Sequence, residues 1–421
     1  MSEGEIMSSI LVKGGSKLKG EVSVNGSKYV ALAAIPAALL ANSPVVLENL
    51  PDLSDVRVFC EILEGMGAKA SFDNGVVTID PRGLRSEIPA PALVRKLRAS
   101  YYLLGALLGR FGEAEVALPG GDDIGPRPID QHVKGLCALG AETCIEHGNI
   151  KARSAGLKGV SVYLDVASVG ATINIMLGAV LAAGQTVIVN AYPAPWIIDL
   201  ASMLNAMGAR VYGAGTETIR IQGVKALHGC QHAIIPDQSE AATLMIATTL
   251  TGGDVTLRNV IPLHLGSVTA KLRETGAVIL PTEDSIRVIG PQRPTAVNVK
   301  TLPYPGFFTD FQAPMSTLLT VAEGTSLVTE TIWEDRFRHL EELINMGAKV
   351  RFEGRSAYIE GVPRLSGALV RGTDLRATAS LVMAGMVAEG ETMVEGIEHM
   401  DRGYEKLDHK LRALGADVTR Q

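Results

Sequence analysis

The amino-acid sequence predicts an α/β protein built from six repeated βαβαββ units, split into two lobes with helices inside and sheets outside. Three observations carry that reading: a Gly-Ala signature that recurs six times, a more apolar helix ahead of each signature, and a hairpin pattern behind it. The signature glycines are Gly67, Gly140, Gly208, Gly276, Gly347 and Gly415, at spacings of 73, 68, 68, 71 and 68 residues. Each suits a helix C-terminus, where a left-handed residue ends the helix without a Cβ clash. The stretches that follow alternate with period two and are broken by turn residues, as at Asp73-Asn74-Gly75 and Glu146-His147-Gly148. That pattern predicts β-hairpins.

The helices ahead of the signatures read YVALAAIPAALLA, LRASYYLLGALLGRF, VGATINIMLGAVLAAG, EAATLMIATTLTGG, DFQAPMSTLLTVAEG and DLRATASLVMAGMVAEG. They are apolar around most of their circumference, which predicts burial on all sides. Short β-type stretches follow them, such as PVVLENL, DVTLRNV and ETMVEGI. A period of about 70 residues is too long for the common solenoids and favours compact lobes. A three-and-three split falls near His232 to Asp237. It gives one lobe over 22–234 and a second over 1–21 and 235–421.

Composition narrows the function. The 421 residues suffice for two or three domains, and 45 acidic against 39 basic residues leave a net charge of -6. This balance opposes nucleic-acid binding, which needs a basic face to displace counterions, but leaves room for a small cationic cleft. Cys60, Cys137, Cys144 and Cys230 form no CxxC and no disulfide framework, as in a reducing compartment. No apolar run approaches the roughly 18 residues of a membrane helix. The start MSEGEIMSSI has no apolar core of a secretory signal. The expectation is a soluble cytoplasmic protein with neither nucleic acid nor membrane as partner.

Charge inside a buried apolar helix is costly unless it sits at an end facing a cavity. The charged residues gather at the helix starts: Lys28, Arg98, Glu240, Asp310, and Asp374 with Arg376. The third helix opens with Ser168-Val169-Gly170-Ala171-Thr172. Asp310, Asp374 and Ser168 are open to two readings, plain N-caps or ligand contacts. Lys28, Arg98 and Arg376 oppose the helix dipole in a first turn, and a bound phosphate or carboxylate would account for them. The stretch LPGGDDIGPRPID (118–130) reads either as an exposed connection or as a lid carrying Asp122 or Asp123 and Arg127. His228 and His232 lack a zincin's glutamate, and no Walker sequence or strand-linked GxGxxG occurs. No metal and no cofactor are expected.

The chain resembles the enolpyruvyl transferase superfamily nearly end to end, most densely at LRAS (97–100), LPGG..IG.RP.D (118–130), SVGAT (168–172), TD.QA (309–313), TDLRA (373–377) and DRGYE (401–405). The resemblance implies a two-lobed inverse α/β barrel. It also implies enolpyruvyl transfer from phosphoenolpyruvate to the 3′-hydroxyl of UDP-N-acetylglucosamine, with release of phosphate, in peptidoglycan precursor synthesis. By the same resemblance Lys28, Arg127 and Arg402 would hold the phosphate of phosphoenolpyruvate, with Arg98 nearby. Arg336 and Arg376 would hold its carboxylate, Asp310 would be the base, and Asp374 would lie close to the reacting carbons. Ser168, Val169 and Gly170 would present N–H groups to the acceptor phosphate, while Arg127, Pro128, Ile129 and Asp130 would flank its uracil. Tyr29 and Ile332 fall among the substrate-binding positions.

Several residues depart from the family pattern. Asp122 stands where most members carry a reactive lid cysteine, which implies a proton donor there and resistance to fosfomycin. The usual Lys-Asn pair is Lys28-Tyr29, the lysine before SVG is missing from Asp165-Val166-Ala167, and the glutamates near 194–196 are replaced by Ala194 and Trp196. The phosphoenolpyruvate side is intact and the acceptor side is changed. Two alternatives therefore stand beside the leading reading: transfer to another uridine nucleotide such as uridine monophosphate, as in nucleoside-antibiotic pathways, and a non-catalytic ligand-binding paralogue.

Overall fold

The apolar stretches form helices at Lys28–Ala38, Tyr102–Phe111, Val169–Ala179, Gln238–Leu250, Gln312–Leu319 and Leu375–Val387 in a computed structural model. It describes residues 8–118, 120, 124–125 and 128–421. The chain divides into two compact units. The terminal unit holds Met1–Asn25, Asp122–Pro126 and Pro236–Gln421; the unit central in sequence holds Gly26–Gly121 and Arg127–Ile235.

Within each unit the apolar helices pack on one another. In the central unit Tyr102–Phe111 lies against both Val169–Ala179 and Lys28–Ala38; in the terminal unit Gln312–Leu319 lies against Gln238–Leu250 and Leu375–Val387. Nearly every residue of these helices is buried. Close approach is built in at Gly105, where an added Cβ would stand 2.3 Å from the carbonyl oxygen of Asn174. The signature glycines end the amphipathic helices at φ between 92 and 99°. The predicted hairpin turns take positive φ at Asn74 and Gly75, and again at His147 and Gly148, as two-residue turns between twisted strands require.

Among the described residues five sheets have four strands in one layout, an antiparallel trio extended by one parallel strand, and Glu113–Ala117 forms a three-stranded sheet with Asn149–Arg153 and Glu142–Glu146. Two kinds of pairing were not visible in the sequence pattern. The last signature has only one strand behind it, Asp417–Arg420, and its partner is the N-terminal strand Ser9–Lys13, with Leu11 opposite Thr419. Strand Lys19–Ser23 runs parallel to Asp254–Arg258, while Gln231–Ala233 runs parallel to Val45–Glu48. Each unit thus takes an edge strand from a distant part of the chain.

Two helices are shorter than their apolar pattern predicts. The second is preceded by a 3-10 turn, Arg98–Tyr101. Asn174 explains the break: its amide accepts from Gly105 N–H at 2.8 Å and donates to the Tyr101 carbonyl at 3.0 Å. An unbroken α-helix would pair those two groups with each other. The fifth is preceded by the 3-10 turn Thr309–Phe311, because Pro314 has no N–H to offer the carbonyl of Asp310. Among the described residues no helix is long and apolar enough to cross a membrane.

Candidate active site

In the terminal unit the 3-10 turn presents Asp310, 6% exposed, to two guanidinium groups. Arg336 Nη2 donates to Oδ1 at 2.8 Å, and Arg376 Nε donates to Oδ2 at 2.9 Å. Arg336 and Arg376 are both buried. Asp374 and Ser168 both cap their helices: Asp374 Oδ1 accepts from the N–H groups of Arg376 and Ala377, and Ser168 Oγ from that of Ala171. Asp310 is different, since its carboxylate is held by the two arginine side chains. Arg376 owes its place to that capped turn, and its guanidinium lies 4.8 Å from the ring centre of Tyr404. Tyr404 donates to or accepts from Thr243 Oγ1 at 2.8 Å, and burial pushes its phenol pKa up. Arg402 is half-buried at the C-cap of the short helix Ile397–Asp401, two residues before Tyr404.

Glu330 holds this arrangement from below, and nothing in the sequence pattern had marked it. It is 1% exposed. Oε2 accepts from Thr309 Oγ1 at 2.9 Å, beside Asp310. Oε1 accepts from Thr301 Oγ1 and from the N–H groups of Ile332 and Trp333. So Ile332, a predicted contact, is fixed through its backbone. His339 is also buried here, and burial lowers its pKa to about 4.

In the central unit Lys28 opens its helix behind Ser27 and pairs with Asp55 at 2.8 Å, both being buried. The first-turn cation thus has a protein carboxylate beside it, supplied by the helix Ser54–Gly65. Arg98 lies 5.4 Å from the Tyr101 ring centre, and burial lowers its pKa. His132 meets the same tyrosine edge-on at 4.5 Å. Its Nδ1 is 2.8 Å from the Asn174 amide nitrogen, a donor, so the ring proton belongs on Nε2. Burial pushes His132 down to about 3, leaving it neutral. Gly170 backs onto this pair: a Cβ there would stand 2.6 Å from His132 Cε1 and 2.7 Å from Tyr101 Oη. His132 and Tyr101 therefore shape the N-terminus of the Val169–Ala179 helix, where Ser168 and Val169 are half-buried.

Two of the positions that depart from the family pattern, Tyr29 and Trp196, are neighbours in space. Tyr29 stacks on Trp196 with ring centres 5.0 Å apart, and Trp196 stacks on Tyr192 at 5.9 Å. Trp196 and Ala194 are buried, Tyr29 half-buried. The loop that lacks the expected lysine receives one from another element: Lys134, on the helix Asp130–Ala138, pairs with Asp165 at 2.7 Å. Val166 is exposed. Pro128 and Asp130 are exposed and Ile129 half-buried, with Asp130 opening that helix. Asp122, Asp123 and Arg127 lie outside the described residues. His232 pairs with Asp199 at 3.2 Å instead of with His228, and among the described residues no group of three or more metal-ligating side chains occurs.

The family model for EPSP synthase (3-phosphoshikimate 1-carboxyvinyltransferase) matches residues 12–411, and the chain belongs to that family. It is 53% identical to UDP-N-acetylglucosamine 1-carboxyvinyltransferase 3 of Caldanaerobacter subterraneus subsp. tengcongensis, over 98% of this chain and 99% of that one. It is equally 53% identical to UDP-N-acetylglucosamine 1-carboxyvinyltransferase 2 of Bacillus subtilis, over 99% and 97%. Among solved structures, the enolpyruvyl transferase NikO from Streptomyces tendae superposes with a TM-score of 0.89 at 26% identity, covering 99% of both chains.

Proposed function

We propose that the chain transfers the enolpyruvyl group of phosphoenolpyruvate to the 3′-hydroxyl of UDP-N-acetylglucosamine, as a transferase of peptidoglycan precursor synthesis. The observation that carries this is Asp310 shared between Arg336 and Arg376, in a chain 53% identical to relatives named for that transfer. In this reading C3 of phosphoenolpyruvate gains a proton while the acceptor oxygen bonds to C2. Loss of phosphate and of one C3 proton then leaves the enol ether. Asp310 takes the hydroxyl proton and Asp122 delivers the proton to C3. A substrate carboxylate would exchange with Asp310 on the guanidinium groups of Arg336 and Arg376, so that its arrival releases the base. Lys28, Arg127 and Arg402, with Arg98, compensate phosphate charge as it grows. Asp374 lies close to the reacting carbons in this reading and keeps Arg376 in line through its cap.

The acceptor has a second candidate. The Tyr29–Trp196–Tyr192 stack replaces hydrogen-bonding groups by rings, and it favours a smaller uridine nucleotide such as uridine monophosphate. We assign the protein to the cytoplasm, in keeping with four unbridged cysteines, and expect fosfomycin resistance. Phosphate release is to be measured with phosphoenolpyruvate and a panel of uridine nucleotides. Turnover with UDP-N-acetylglucosamine supports the leading reading. Turnover with uridine monophosphate alone replaces it, and silence with every acceptor points to a binding paralogue.

A further inference from the structure

Asn25 has every polar group engaged within the terminal unit. Its N–H donates to Glu240 Oε2 at 3.0 Å, and its carbonyl accepts from Asp237 N–H at 2.8 Å. Its side-chain Oδ1 accepts from Lys410 Nζ at 2.8 Å, and Nδ2 donates to Glu405 Oε2. The amide has one possible orientation, because an ammonium only donates and a carboxylate only accepts. Lys410 is committed in turn: besides Asn25 it donates to Glu240 Oε1 and to the Ser23 carbonyl at 3.0 Å. Glu240 is 3% exposed, in the first turn of the Gln238–Leu250 helix.

Burying an ion pair contributes little stability compared with apolar packing, so this cluster asks for another purpose. Its outlet is Glu405. That residue closes the turn Arg402-Gly403-Tyr404-Glu405, which is followed by Lys406 at φ 50°, an unfavourable left-handed conformation for a side-chain-bearing residue. The turn is tethered at Tyr404 by Thr243 and at Glu405 by Asn25.

We infer that Asn25 is a positioning residue, an amide relay that passes the fixed geometry of the Glu240–Lys410 pair to Glu405 and so aligns Arg402 for phosphoenolpyruvate. The inference rests on the proposed role of Arg402. A misplacement of about 1 Å at a charge-stabilising group costs roughly a hundredfold in rate, so a relay of this kind has a kinetic signature.

Asn25→Asp keeps the shape but turns a carboxylate oxygen toward Glu405. The expected result is at least a tenfold fall in kcat/KM for phosphoenolpyruvate, with KM for the acceptor within a factor of two. Glu405→Gln restores a donor opposite the introduced carboxylate, so the double variant Asn25→Asp/Glu405→Gln should recover to within about threefold of the parent, since residues in one hydrogen-bond network are coupled rather than additive. Thermal melts on all variants separate alignment from stability. An Asn25→Asp protein that melts like the parent and keeps its kcat/KM overturns the inference, as does a double variant no better than the single. Should Asn25→Asp not fold, Glu405→Ala at a half-buried site takes its place, with the same tenfold loss expected and parental kinetics overturning the inference. A parent that releases no phosphate with any uridine nucleotide overturns the functional reading and the inference with it. An active parent whose Arg402→Ala variant is unimpaired removes the role assigned to Arg402.

Discussion

Lys28 shows what a single buried charge demands of its neighbours. Its ammonium sits 2.8 Å from Asp55, and the helix that carries Asp55 is needed for that pairing. If Lys28 compensates phosphate charge during turnover, Lys28→Ala should reduce the phosphate-release rate by roughly a hundredfold or more, as should Arg402→Ala. Either variant at near-parental rate would remove its residue from the site. Asp122 makes a second prediction at this scale. A carboxylate is a poor nucleophile toward an unactivated epoxide, whereas a thiolate is a strong one. Intact protein incubated with acceptor and fosfomycin should show no added drug mass, and Asp122→Cys should gain one drug mass and lose activity. An adduct on the parent would mean another nucleophile serves that position.

At the scale of an element, the turn Thr309–Phe311 depends on Glu330 as much as on its own residues. Glu330 accepts four hydrogen bonds, from Thr301, Thr309, Ile332 and Trp333. Glu330→Ala leaves those donors without their acceptor in a buried place, and should destabilise the fold by about 3 kcal/mol. Glu330→Gln retains one oxygen for three donors and can turn its amide to the Thr309 hydroxyl, so about 1 kcal/mol is expected. Denaturant titration checks both values. Because Asp310 rides on the turn, the alanine variant should also lose turnover under conditions where it is still fully folded, while the glutamine variant stays active. Equal activity in both would show that the turn holds without Glu330.

The whole molecule carries buried neutral histidines in both units, His132 in one and His339 in the other. Burial lowers their pKa to about 3 and about 4, below the ordinary value near 6.5. The unfolded chain therefore takes up a proton as pH falls through 6.5, while the folded chain does so only near 3 to 4. Their contribution is fully present above pH 6.5 and is lost progressively below it, at up to about 1.4 kcal/mol per pH unit for each. Between pH 7.5 and 5 the loss from His132 should be about 2 kcal/mol. Chemical denaturation at the two pH values measures it, and His132→Gln, which still accepts from Asn174, should flatten the slope. An unchanged slope would assign the acid sensitivity elsewhere.

Period and chain-end chemistry are local properties, and they were legible without coordinates. The six glycines, the apolar helices and the turn pairs Asn74-Gly75 and His147-Gly148 all appear where alternation, hydropathy and left-handed preference put them. The meeting of Asp310, Arg336 and Arg376 has no signature in spacing, since 26 residues separate the first two and 40 the next. Pairings between distant segments have no local signature. Ser9–Lys13 completes a hairpin with Asp417–Arg420 across almost the entire chain, because an edge left open at the last repeat is covered by whichever strand the fold brings to it. Asn174 interrupts a helix 69 positions away, and Glu330 and Asn25 look like ordinary polar residues until their partners surround them. Tyr29 and Trp196 read as two separate departures in sequence, and only packing turned them into one stacked surface. Sequence determines which groups exist and which stretches become helix or strand; where a helix such as Tyr102–Phe111 begins and which groups meet are decided by burial, where each polar atom must find a partner and each ring a neighbour.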